Sequence, residues 1–150
     1  MNKQLIVGGG LLAAGFASGS AATHFRPASG VVIEHDSLVA RREPGPHGGG
    51  GETTAYPFFS DAPGLALVFR KRALHRGAAI GYHRNDADEI YYVLSGRGEL
   101  TVDGVKREVG AGTAILTRPG SSHGLRQVGT EDLVILIDYL NKDVPTHSMP

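Results

Sequence analysis

Residues 97–110 read RGELTVDGVKREVG, two short runs joined by the single pair Asp103-Gly104. An Asp-Gly pair between runs such as Leu100-Thr101-Val102 and Val105-Lys106-Arg107 is a two-residue hairpin signal, because Gly takes positive φ freely and Asp tolerates it. Outward from this hairpin the same texture continues. Residues 65–74, 78–85 and 88–95 on one side, and 113–117, 123–128 and 133–140 on the other, are short runs rich in β-branched and aromatic residues. Turn signals separate them: Arg76-Gly77, Ser95-Gly96-Arg97-Gly98, Gly110-Ala111-Gly112, Pro119-Gly120 and Val128-Gly129. With 98–102 and 105–109 the strands number eight. This spacing predicts an all-β, antiparallel sandwich or small barrel. Nothing between 65 and 140 carries a helical period over a dozen residues.

Composition agrees. Gly (22) and Pro (8) make up a fifth of the 150 residues, against roughly 12% in an average protein. Equal numbers of basic and acidic residues, 15 each, leave no net charge, which argues against nucleic acid or an anionic membrane as the main partner. The absence of cysteine removes disulfides, zinc-thiolate sites and thiol nucleophiles together.

The chain divides into four stretches. Residues 1–22 have one charge, Lys3, then an apolar stretch, then Ser20 and Ala22 at the −3 and −1 positions of a cleavage site. That order is a secretory signal peptide, too short for a membrane span of roughly 20 apolar residues. It implies a periplasmic or secreted protein, with a glycine-rich tail on a cytoplasmic protein as the alternative. Residues 23–64 read as an irregular segment with a candidate strand at Val31-Val32-Ile33 and another at 53–59, broken by Pro57. Between them, Arg41 to His47 and the run Gly48 to Gly51 read as a loop that could lie over a pocket mouth, with His47 as part of a lid. Residues 65–140 are the regular domain and 141–150 a tail.

Polar residues fall where half-buried strands alternate inward. His83 and Asn85 are two apart, as are Glu89 and Tyr91, and His123 shares a face with Leu125 and Gln127. Burying them costs desolvation unless something compensates. Two imidazoles and one carboxylate suit iron, manganese, nickel or zinc, and with open positions they form the donor set of a non-haem iron facial triad. A satisfied polar network inside the barrel is the alternative.

These residues also resemble a known family, the cupins. Five residues separate Gly77 from His83, one His83 from Asn85, three Asn85 from Glu89 and six Glu89 from Gly96. That is the first cupin motif, with Asn85 in place of its second His. Gly112, Gly120 and His123 keep the second motif, with Arg118 where the family has Pro and Gln127 where it has Asn. The wording Glu89-Ile-Tyr-Tyr-Val-Leu-Ser-Gly96 is similar to small single-domain cupins labelled mannose-6-phosphate isomerase-like. The resemblance implies a cupin (double-stranded β-helix, or jelly-roll) barrel over 65–140 with a divalent metal ion at its open end, and often a homodimer. It implies His83, Glu89 and His123 as metal ligands. Asn85 either coordinates weakly or stands behind the ligands. Loss of one nitrogen donor favours Fe or Mn over Zn, Ni or Cu.

Tyr91 and Gln127 are the candidate catalytic neighbours, the first by its hydroxyl and the second by orienting a ligand, against core packing and backbone bonding as their plainer roles. Arg118, in the turn before His123, is a candidate for holding a carboxylate or phosphate, against a solvated loop charge. Tyr82 and Tyr92 fall on the outer face, as for a dimer interface or a second layer. The expected function is a metal-dependent cupin acting on a small polar substrate (a sugar, keto acid or enediol), as an isomerase or lyase, or as a dioxygenase with iron. The rival is a non-catalytic module binding a small sugar or carboxylate, which Asn85 and Arg118 favour.

Overall fold

The computed structural model describes residues 30–142. The segment 1–22, His24 and His147 lie outside them. A one-turn helix α1 (Asp36–Val39) is followed by β1 (Arg41–Pro44), a 3-10 turn (Pro46–Gly48), β2 (Glu52–Phe58) and β3 (Leu67–Leu74). Then come β4 (Ala79–Arg84), β5 (Glu89–Ser95), β6 (Arg97–Val102), β7 (Val105–Gly110), β8 (Ala114–Thr117), β9 (Ser122–Val128) and β10 (Leu133–Leu140). No helix among the described residues is long and apolar enough to cross a membrane.

All pairings are antiparallel, in two sheets. One runs β1-β2-β3-β10-β5-β8 and the other β4-β9-β6-β7. The expected hairpin is present: Val102 faces Val105 across Asp103 (φ 46°) and Gly104 (φ 82°). Both sheets turn one face inward, and Leu74, Ile80, Val93, Leu125 and Ile135 meet in one apolar cluster. On the other face, Tyr82 and Tyr92 are exposed as the alternation requires, with Ile90, Leu94 and Leu116 beside Tyr92 on the six-stranded sheet.

The first third departs from expectation. Residues 31–33 form no strand and are exposed, since no partner strand covers them. Arg41–Pro44, read as loop, is β1 on the edge of the larger sheet, paired with 52–55 of β2. Pro57 does not break β2: Pro57 pairs with Arg70 of β3, and β1 begins only opposite Ala55, so the missing N–H falls where β2 is itself an edge.

The 46–51 segment packs against β4. Ala79 donates its N–H to Gly50 O at 3.1 Å, and Gly45 donates to Gly51 O at 3.0 Å. A Cβ on Gly49 would collide with Ala79 O, and one on Gly81 with His47 O. The backbones approach so closely that only glycine fits. Gly81→Ala should cost about 1–3 kcal/mol as the segment is pushed away, while Gly110→Ala, where the nearest atom is 3.8 Å from the added carbon, should cost less than about 0.5 kcal/mol. Urea denaturation compares the two; equal stability would mean that the segment is not held on β4.

Candidate metal centre

β4 and β9 pair with His83 directly opposite His123. Alternation turns both rings inward, while Tyr82 and Arg84 face out. Across the barrel, Glu89 begins β5 on the inward face shared with buried Tyr91. One ligand atom from each of His83, Glu89 and His123 lies within 4.8 Å of the others. The two histidines, forty positions apart in sequence, become neighbours through a single strand pairing.

Each group is held by a neighbour. His83 donates Nδ1–H to Gly81 O at 2.9 Å, which leaves Nε2 as the lone-pair nitrogen. Asn85 donates from Nδ2 to Glu89 Oε2 at 2.9 Å. His123 Nε2 lies 3.1 Å from the Tyr91 hydroxyl and 3.4 Å from Glu89 Oε2. The His47 ring stacks on His83 with centroids 3.6 Å apart and planes within 7°. His47 reaches this position through a left-handed backbone (φ 53°, ψ 33°) in the 3-10 turn, a conformation uncommon outside glycine.

Burial sets the charges. His123 is fully buried, and that burial, with His83 and His47 close by, lowers its pKa to about 4. The His47 pKa is also lowered, by burial first and His83 second. Tyr91 is pushed well above the ordinary tyrosine range, by burial first and then by the charge of Glu89 and a hydrogen bond to it. At neutral pH His123 is therefore a neutral imidazole with a lone pair to give, and Tyr91 keeps its proton. Asn85 Oδ1 and His123 Nδ1 are buried without a hydrogen-bond partner, which folded proteins seldom leave uncompensated. Two imidazoles, a carboxylate and a spare amide oxygen fit a divalent cation.

His83 and Glu89 line a cavity of about 420 Å³ together with His47, Tyr91 and Asn85. The remaining expected residues lie elsewhere. Gln127 spends its amide on backbone, accepting from Gly77 N at 2.7 Å and donating to Glu131 O at 2.6 Å and Gly129 O at 3.3 Å, its plainer role. Arg118 is exposed and paired with Asp88 at 3.2 Å, and it does not line the cavity. Conversely, Arg70 and Arg72 of β3 do line it. Their signal was present: basic residues alternating with Leu74 on the inward face of a strand, where apolar residues are the rule.

A barrel of two antiparallel sheets with a His-Glu-His cluster inside is the architecture of a cupin. Residues 71–138 match the Cupin domain family model, and this part of the chain is a cupin domain. The chain is 29% identical over 111 residues to an oxalate-binding protein of Thermotoga maritima, covering 72% of this chain and 92% of the relative. Among solved structures, a predicted oxalate decarboxylase from Thermotoga maritima superposes with a TM-score of 0.67 at 27% identity, covering 73% of this chain and 99% of that one. An RmlC-like cupin from Shewanella frigidimarina, at 21% identity and TM-score 0.51, covers 69% of this chain and 88% of that one and shows the shared fold alone.

The depressed His123 pKa fixes the sign of a pH dependence in metal-free protein. Between the unfolded value of about 6.5 and the folded value of about 4, the unfolded chain binds the proton that the folded one refuses. Stability is therefore complete above pH 6.5 and falls as the pH drops toward 4, by at most about 3 kcal/mol from this group. Urea denaturation of chelator-treated protein at pH 7 and pH 5 should show the loss, and His123→Gln should flatten it. An equal loss in the variant would assign the dependence to other groups.

Proposed function

We propose that the protein binds a divalent ion, Fe or Mn ahead of Zn, Ni or Cu, through His83, Glu89 and His123, and acts as a lyase or isomerase on a small carboxylate such as a keto acid or oxalate. The observation that carries this reading is the convergence of three ligand atoms within 4.8 Å beside a cavity that two arginines also line. When bound, the ion supplies Lewis acidity to a substrate carbonyl or carboxylate. The chain's own residues do the rest. Asn85 steadies one oxygen of Glu89, and the Gly81 carbonyl fixes the His83 tautomer. Tyr91, held protonated, offers a hydroxyl hydrogen beside His123 and Glu89 and is the candidate proton donor of the site. His47 and the 46–51 segment cover one side of the His83 ring and limit access of water to it.

A second reading, binding without turnover, has specific support: Asn85 occupies the second-histidine position, and the relative from Thermotoga maritima is named for binding oxalate.

Elemental analysis of protein purified without chelator should find close to one equivalent of Fe or Mn. His83→Ala should lose it while the far-UV circular dichroism stays unchanged. Asn85→Ala, which frees the Glu89 carboxylate, should weaken metal affinity roughly tenfold to a hundredfold. Substoichiometric metal that is the same in His83→Ala and not restored by reconstitution would sink the metal reading. Product formation from oxalate or a 2-oxo acid, followed by NMR, separates turnover from binding.

A further inference from the structure

Strand β3 directs two arginines into the barrel. Arg70, Arg72 and Leu74 alternate on one face, and Leu74 is fully buried in the core. The register extends this row across the sheet: Arg70 pairs with Ile137 of β10, which pairs with Tyr91 of β5. Two strand spacings of roughly 4.8 Å therefore separate the backbone of Arg70 from that of the tyrosine beside His123.

The two arginines differ in their partners. Arg72 is buried and ion-paired, donating to Glu43 Oε2 at 3.0 Å and to Thr53 Oγ1 at 2.6 Å, although its Nε, like that of Arg70, has no partner. Arg70 has no carboxylate partner among the described residues. Its Nη2 donates to the neutral Tyr139 hydroxyl at 3.0 Å, its guanidinium carbon lies 5.5 Å from the centroid of that ring, and its Nε is buried with no partner. It lines the same cavity as His83 and Glu89. A half-buried cation without a counter-charge is costly, and the cavity is where an anion could supply one.

We propose that Arg70 is the specificity-determining residue of the site, selecting a small dicarboxylate. This rests on the reading of His83, Glu89 and His123 as the metal centre. One carboxylate of the ligand would bind the ion held by His83, Glu89 and His123, and the other would accept from the guanidinium hydrogens of Arg70 that Tyr139 does not use. A sugar or a hydroxy acid meets the metal equally well but leaves Arg70 without an anion. Fork-shaped donation to a carboxylate is what a guanidinium does better than any other side chain. Tyr139, whose backbone pairs with Glu89, positions the guanidinium from the strand between the arginine and the metal ligands.

The test is calorimetric titration of Mn(II)-loaded full-length protein with oxalate and with glycolate, which has a hydroxyl in place of the second carboxylate. Wild type should prefer oxalate. Arg70→Met, which keeps the packing of the stem, should lose roughly tenfold to a hundredfold in oxalate affinity, change glycolate affinity by no more than about threefold, and retain its metal. Arg70→Lys should recover part of the oxalate affinity, and it replaces the Met variant should that one fail to fold. Equal oxalate affinity in wild type and variant, or no oxalate binding by metal-loaded wild type, would overturn the proposal while leaving the metal centre standing. If the protein takes up no metal, the reading of the centre fails and Arg70 is judged on the metal-free protein. Oxalate raising the Tm of wild type and not of Arg70→Met would then support an anion site, and a response in neither would overturn it.

Discussion

The antiparallel pairing of β4 with β9 sets His83 across from His123, and the rest of the site is arranged around that contact. A strand pairing fixes two side chains on one face at a separation that neither strand alone could define. Once the two imidazoles share a face, Glu89 needs only to begin β5 on the facing sheet with its side chain inward for the three ligand atoms to converge. The tight approach of the 46–51 segment to β4 depends on the same strand, because it is the backbone at Ala79 and Gly81 that receives the segment. His83 and the stacking His47 are thus both tied to β4.

Electrostatics inside this barrel are shaped by burial more than by ion pairs. His123 is kept neutral and Tyr91 is kept protonated, in both cases chiefly by desolvation. A neutral imidazole is the form that binds metal and a protonated phenol is the form that donates, so the low-dielectric setting suits both to the roles proposed for them. The carboxylate of Glu89 escapes isolation through the Asn85 amide. That contact gives a physical account of Asn85 at the position where the family motif has a second histidine. It trades a possible nitrogen ligand for a donor that fixes the carboxylate, and it leaves a softer claim on nitrogen-preferring metals.

The arginines of β3 add a different character to the cavity. A site of two histidines and a glutamate is indifferent to whether a ligand is a sugar, a keto acid or a dicarboxylate, since each offers oxygen to a metal. A guanidinium with an unused N–H discriminates, because it is compensated only by an anion. Arg72 is balanced by Glu43 on β1, so the edge strand added by the first third of the chain is tied through an ion pair to the wall of the cavity.

Much of this was legible in the sequence by itself. The eight strand runs after residue 64 follow from period-two alternation and glycine-bearing turns, and the Asp103-Gly104 hairpin from the φ values its two residues tolerate. His83, Asn85, Glu89, Tyr91 and His123 were legible as inward-facing because parity along a strand is a local property. Gln127 passed the same parity test, yet its amide is consumed by the Gly77 and Glu131 backbone, a distinction that alternation cannot make. What required the tertiary structure is everything that depends on which strands are neighbours: β1 pairing beside β2, Pro57 lying where β2 is an edge, His47 stacking on His83 from thirty-six positions away, and Arg70 entering the row of Tyr91. Sequence determines which face a side chain takes, because that depends on the next residue. Only the closed sheets decide what it meets there, because the partner comes from a distant part of the chain.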